Sequence, residues 1–438
     1  MRVDFLYKND ANSRLLLVFN GWSVPVPSAC VPIWLTGYDI AVVSEYDVFI
    51  LPEVGEYREV VVLAWSLGVH AAELALQNTA LPLTLTIAVN GTPFPIDDER
   101  GIPETIFKLT AERLTEQTLI KFRRRMGAAD MTRGSRSIEE LQRELLKFPS
   151  EFVPFRWDYA VISTDDRIFP PENQLLAWKG RADIIKLEGS HTPDFESIVK
   201  RFIINKDRVG SRFARGSSTY DGESDVQGRV AAHLLELWLK HTNNRNGGRV
   251  LEIGVGTGAF TSLYSAKIHS DELILWDLAP AADGVIAADG EVEIIRVEPE
   301  SLRAVVSASV MQWFNSPAAF LRRAVKTLES GGLAVISTYG PQTFMELTEC
   351  GVTPLPYLSE DSLRRIIPED FDVLELHSGK IMKLFDTPMD ALRHCRATGV
   401  NALPSAVSIR EIERRWVRRS DGRVSLTFQP VYMILRKK

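Results

Sequence analysis

Val250-Leu251-Glu252-Ile253-Gly254-Val255-Gly256-Thr257-Gly258 reads as a buried strand running directly into alternating glycines. Branched apolar residues favour extended backbone, and glycines behind them let the chain turn tightly, approach a bound nucleotide and open a helix. Asp277 ends the next apolar run about 20 residues further on, the separation expected of a ribose-hydroxyl acceptor. An acid before the loop, three alternating glycines and this second acid favour S-adenosylmethionine over a dinucleotide. The expected cofactor-binding residues are therefore Glu252, Gly254, Gly256, Gly258 and Asp277. Outward from this stretch, residues 230–240 have helical periodicity, and 250–253, 273–276, 292–297, 304–307 and 333–338 read as strands. That alternation predicts an α/β, doubly wound, Rossmann-like domain.

A second alternation precedes it, with strands expected at 15–19, 48–51, 60–64, 83–89 and 159–163 and a helix at 67–76. Here Val61-Val62-Leu63-Ala64-Trp65-Ser66-Leu67-Gly68 reads as a strand ending in a serine nucleophile elbow. Ala64 and Gly68 are the small residues that so sharp a strand-to-helix turn requires. Asn20-Gly21-Trp22-Ser23 follows an earlier strand, where a hydrolase of this class places one oxyanion-hole amide; Trp22 and Leu67 are the expected donors. His191 comes after Asp165-Asp166 in the serine, acid, histidine chain order, so Ser66, Asp166 and His191 form the candidate triad. Asp165 remains the alternative acid. His70, one helical turn past Ser66, reads as a helix-face residue. Residues 110–148 read as inserted helices, a lid carrying Lys121, Arg123, Arg124, Arg125, Arg133, Arg136 and Arg143.

The chain has 438 residues, more than a single core usually supports, so two domains are expected. The change to polar, glycine-containing text between 203 and 220 places a linker there, giving domains 1–205 and 206–438. A composition of 45% hydrophobic and 25% charged residues is that of a globular protein, and a net charge of −6 provides no overall field for nucleic acid. Cys30, Cys350 and Cys395 are few and scattered, which predicts buried thiols and no metal site. No signal peptide and no membrane-spanning run are expected, which makes the cytoplasm the expected location.

Two family resemblances now become specific. Asn20-Gly21-Trp22, Ala64-Trp65-Ser66-Leu67-Gly68, Val89-Asn90-Gly91-Thr92 and Asp166-Arg167-Ile168-Phe169-Pro170 together resemble the pimeloyl-acyl carrier protein methyl ester esterases of biotin synthesis. The resemblance implies an α/β-hydrolase in which Ser66 attacks the methyl ester, His191 relays the proton and Asp166 orients the imidazole. Arg123, Arg124 and Arg125 would then be candidates for gripping acyl carrier protein. Residues 207–438 resemble the malonyl-acyl carrier protein O-methyltransferases through Phe213-Ala214-Arg215, Gln312-Trp313-Phe314, Ser337-Thr338-Tyr339-Gly340 and Thr398-Gly399-Val400-Asn401-Ala402. This implies a class I methyltransferase using S-adenosylmethionine, with Tyr220, Gln312, Trp313 and Tyr339 lining the substrate pocket. That family's acid after the third strand, which contacts adenine, has no counterpart in Ile295-Arg296-Val297-Glu298-Pro299-Glu300 unless Glu298 substitutes.

The combined expectation is one chain that methylates malonyl-acyl carrier protein and later hydrolyses the pimeloyl methyl ester. An esterase fused to a small-metabolite methyltransferase, or a degenerate scaffold lacking the adenine-contact acid, are the alternatives.

Overall fold

The computed structural model describes residues 1–24, 35, 37–77, 79–128, 136–242, 247–398 and 407–438, leaving aside the side chains of 216–223. Cys30, Arg133, residues 399–402 of the quoted motif and the Tyr220 side chain lie outside the described residues. The chain divides into two compact units, Met1–Ile198 and Val199–Lys438.

In the first unit, β1 (Arg2–Tyr7), β2 (Arg14–Phe19), β3 (Tyr38–Ser44), β4 (Glu59–Trp65), β5 (Leu83–Val89), β6 (Tyr159–Asp165) and β7 (Asp183–Ser190) form one sheet. Its order is β1-β3-β2-β4-β5-β6-β7. Only β1 is antiparallel to its neighbour. Every residue of β4 is buried, as expected of a central parallel strand covered on both faces. Helices α1 (Gly68–Leu76), α2 (Glu104–Glu112), α3 (Glu116–Met126), α4 (Ile138–Leu146), α5 (Pro171–Trp178) and α6 (Phe195–Phe202) follow in order. The inserted stretch is thus helical; α3 and α4 start on capping boxes built by Thr115 with Thr118 and by Ser137 with Glu140.

The strand expected at 48–51 does not form: Val48 and Ile50 stand exposed, and β3 occupies that place in the sheet. An aspartate inside β3 obscured it. Asp39 is buried only because Asn9 N, Asn12 Nδ2 and Tyr57 Oη all donate to its carboxylate.

The second unit opens with α7 (Lys206–Glu223) and α8 (Asp225–His241), followed by β8 (Arg249–Ile253), α9 (Ala259–Ser265), β9 (Glu272–Asp277), β10 (Ile286–Ala287) and α10 (Gly290–Glu293). After these come β11 (Leu302–Ala308), α11 (Pro317–Thr327), β12 (Leu328–Tyr339), α12 (Met345–Glu349), α13 (Glu360–Ile366), β13 (Phe371–Ser378), β14 (Ile381–Phe385), α14 (Pro388–Ala397), α15 (Ile409–Arg415), β15 (Val424–Phe428) and β16 (Pro430–Lys437). The main sheet runs β10-β9-β8-β11-β12-β16-β13, and β14 pairs with β15 separately. β16 is antiparallel to both its neighbours, while the other pairs are parallel. Strand order reverses beside β8, so the fold is Rossmann-like, with its crevice at the end of that strand.

Two expectations fail here. The supposed linker at 203–220 is mostly α7, whose first turn is capped by the Asn205 side chain accepting from Arg208 N. The supposed strand at 292–297 is the end of α10 and a 3-10 turn, Ile294–Arg296. Asp289 starts α10 by accepting from Glu291 N, and the third strand is the two-residue β10 before it. Among the described residues no helix is long and apolar enough to cross a membrane, and Cys350 and Cys395 are buried free thiols.

Candidate active sites

Ser66 ends β4 and precedes α1 with φ +61°, a left-handed conformation that a non-glycine residue adopts only under constraint. Close backbone packing provides the constraint: a Cβ on Gly68 would lie 2.6 Å from the carbonyl oxygens of Phe19 and Asn20. The turn therefore presents the Ser66 side chain at the carboxyl end of β4, beside the loop that follows β2.

His191 follows β7, and its Nε2 lies 2.9 Å from Ser66 Oγ. Its Nδ1 lies 2.9 Å from both Asp166 carboxylate oxygens. Asp166 accepts from Ile168 N at 2.8 Å, Phe169 N at 3.0 Å and Gln174 Nε2 at 2.9 Å. With the carboxylate serving only as acceptor, the imidazole proton belongs on Nδ1, which leaves Nε2 to accept from the Ser66 hydroxyl. The loop carrying His191 is fixed through its own carbonyl, which accepts from Trp65 Nε1 at 2.9 Å and Asn90 Nδ2 at 2.8 Å. Phe169 stacks on the imidazole at an interplanar angle of 11°. An imidazole held in this way can take the serine proton during attack on a carbonyl.

Asp165, by contrast, is exposed and paired with Arg167. His70 lies apart from this relay, buried on α1 with Nδ1 3.1 Å from Glu73, whose carboxyl burial pushes above its ordinary value. Leu67, next after Ser66, starts α1, and Trp22 is buried with its indole Nε1 donating to Leu141 O of α4. The three candidate docking arginines separate: Arg124 and Arg125 face solvent, whereas Arg123 is buried and donates to Ser23 O at 2.6 Å. Arg123 is thus withdrawn from any docking face. Arg136 likewise turns inward, onto the buried Glu144. Sequence reading missed Gln174 and Asn90, since a neutral amide carries no signal until the loops it joins are known.

In the second unit the loop after β8 borders a pocket lined by Gly254, Gly256, Asp277, Asp289 and Trp313 among others. Gly254 has φ +77°, and a Cβ there would lie 2.2 Å from Val310. Asp277 accepts from Gly256 N and Ala279 N, each at 2.8 Å, so the second acid clamps the glycine loop as well as facing the pocket. Glu252 and Gly258 do not line it. Glu252 is buried and accepts from Thr261 Oγ1 at 2.7 Å and Tyr264 Oη at 2.8 Å. Burial pushes its carboxyl up to about 7, more than those two hydrogen bonds pull it down. Trp313 lines the pocket with Phe213 edge-on to it; Gln312 instead donates to Ser309 O at 2.6 Å, and Tyr339 Oη lies 3.3 Å from Ser309 Oγ.

An acid does follow the third strand, at Asp289. Glu298 is exposed, whereas Asp289 follows the true third strand and lines the pocket beside Gly290. Lys206, buried at the start of α7, reaches Asp289 at 2.8 Å and also pairs with Glu291. Glu291 in turn accepts from Asn315 N and Ser316 N.

Comparison with known proteins separates the same two regions. Residues 1–197 match the family described as pimeloyl-ACP methyl esterase BioG, and residues 223–385 match a methyltransferase domain family. A malonyl-[acyl-carrier protein] O-methyltransferase of Bacteroides fragilis is 34% identical over 87% of this chain and 84% of its own length. One from Bacteroides thetaiotaomicron is 31% identical over 54% of this chain and 99% of its own. The crystal structure of BioG from Haemophilus influenzae shares 31% identity over 44% of this chain and 94% of its own, with a TM-score of 0.38.

Proposed function

The chain belongs to the malonyl-[acyl-carrier protein] O-methyltransferase family, and from that premise we propose that it is a bifunctional enzyme of biotin synthesis. Its second domain, 206–438, methylates the free carboxyl of malonyl-acyl carrier protein. Its first, 1–205, an α/β-hydrolase, removes the methyl group from the pimeloyl ester after elongation. The observation that carries the reading is a preassembled Ser66, His191 and Asp166 relay in a chain that aligns over most of its length with a methyltransferase. A cytoplasmic location goes with this reading.

In the hydrolase, Ser66 Oγ attacks the ester carbonyl as His191 Nε2 takes its proton; Asp166 keeps Nδ1–H oriented and stabilises the imidazolium. The amides of Leu67 and Trp22 receive the developing oxyanion. Methanol leaves with the proton from His191, and water repeats the cycle on the acyl-serine.

In the methyltransferase, S-adenosylmethionine supplies an electrophilic methyl group when bound. Gly254 and Gly256 would leave room for it against the backbone, Asp277 would hold its ribose hydroxyls and Asp289 its adenine, all four lining the same pocket. The acceptor carboxylate is ionised at neutral pH and needs no strong base, so the pocket residues would act by positioning the acceptor and excluding water. Trp313 lines that pocket, Tyr339 stands behind its Ser309, and Tyr220 and Gln312 are further candidates.

Intact-mass spectrometry of malonyl-acyl carrier protein, incubated with S-adenosylmethionine and the Ser66→Ala chain, is expected to show gain of one methyl group. Intact chain is expected to cleave the pimeloyl methyl ester, and Ser66→Ala to leave it whole. No methyl gain despite cofactor binding would overturn malonyl-acyl carrier protein as the acceptor and leave a small-metabolite methyltransferase; no gain without cofactor binding would leave the scaffold.

A further inference from the structure

A second cavity of about 330 Å³ lies in the C-terminal unit between α12, α14 and α15, within the range of roughly 300–1,000 Å³ typical of small-molecule sites. Its walls are largely apolar, with Leu347, Leu392 and Ile412 among them, and at its rim Arg393 and Arg396 of α14 stand exposed. Arg410 and Arg414 are exposed cations on α15, whose Ile409 and Ile412 line the cavity, while Arg415 reaches Glu411 and Cys350 O. The acids on these two helices are Asp390, Glu411 and Glu413. Asp390 is engaged by Thr387 and Arg393, and Glu411 caps α15 through Ser408. A basic rim in a chain of net charge −6 is a local feature that needs a ligand-side reason.

The inner end of the cavity supplies it. Leu355 lines the cavity and packs in one buried cluster with Trp313, which lines the cofactor pocket. Tyr357 joins that cluster from the cavity side. A single buried cluster thus borders both spaces, and a methyl acceptor entering from the cavity has to pass it to reach its donor.

We propose that this cavity admits the phosphopantetheine arm of the acyl carrier protein, with Arg393 and Arg396 holding its phosphodiester and the neighbouring α15 arginines meeting the acidic protein surface. The proposal rests on the carrier-protein reading above and adds where the carrier docks. A long thin arm suits a narrow apolar cavity, arginine forks suit phosphate, and complementary charge suits an acidic partner that remains outside. The route places the arm's terminal acyl group at Trp313 and Leu355.

A thioether trap tests it. Carrier protein loaded with a bromoacetyl arm is mixed with the full chain carrying Leu392→Cys; attack by the thiolate forms the C–S bond and expels bromide. We expect a covalent adduct at least tenfold above that of the unsubstituted chain, reduced at least tenfold when Arg393→Glu and Arg396→Glu are added. Adduct no greater than in the unsubstituted chain, or adduct indifferent to the charge reversal, overturns the assignment. Methyl transfer to malonyl-acyl carrier protein by the unsubstituted chain is measured alongside. Transfer without trapping refutes the cavity route and leaves the function standing, whereas trapping without transfer supports the route and refutes the reaction.

Discussion

Two adjacent aspartates show how much a single position matters. Asp165 and Asp166 are indistinguishable as sequence, yet one is exposed against Arg167 and the other is buried on His191. Asp166→Asn is expected to lower pimeloyl methyl ester hydrolysis by about 10⁴-fold through the wrong imidazole tautomer. Asp165→Asn should stay near the unsubstituted rate; steady-state kinetics of both variants checks the pair. Glu252 has a different consequence. Its folded carboxyl titrates near 7, above its ordinary 4.5, so the folded state holds the proton more tightly than the unfolded chain does. That contribution to stability is fully present below about 4.5 and is lost as pH rises through about 7. Thermal melts of the full chain should therefore show Tm declining across this window, and Glu252→Gln should flatten the decline.

At the scale of elements, the long parallel strands were legible because both faces are buried and their residues run apolar without interruption. β3 was not, since Asp39 breaks its run, and β10 is too short to have a pattern. The misread third strand hid Asp289, an acid that follows β10 and lines the pocket, and the absence of such an acid had been the support for a degenerate scaffold. The serine, histidine and acid were legible through chain order, whereas Gln174 and Asn90 became meaningful only once tertiary structure joined their loops. α7 was misread because its polar and glycine residues outnumber Val209 and Phe213, yet its end is pinned by Lys206. Lys206→Met would leave the Asp289 and Glu291 carboxylates without their buried cation, at a cost of about 3–5 kcal/mol. The expected result is a lower Tm together with weaker S-adenosylmethionine binding, measured by differential scanning calorimetry and by titration calorimetry.

For the molecule as a whole, the proposed function requires that a chain making and breaking methyl esters not destroy its own first product. The hydrolase is therefore expected to discriminate by acyl length, each added methylene contributing about 1–3 kcal/mol in an apolar site. Pimeloyl methyl ester should be cleaved at least 100-fold faster than malonyl methyl ester, and comparable rates would defeat the bifunctional scheme. The methyltransferase family match begins at residue 223, but Lys206, Val209, Gly210 and Phe213 of α7 already line the pocket beside the glycine loop, the proposed cofactor site. A gene cut at the family boundary would thus encode a cup with one side missing. Expressed from residue 199, the C-terminal piece should bind S-adenosylmethionine; expressed from 223, it should not. The seam convenient for cloning lies inside the working part.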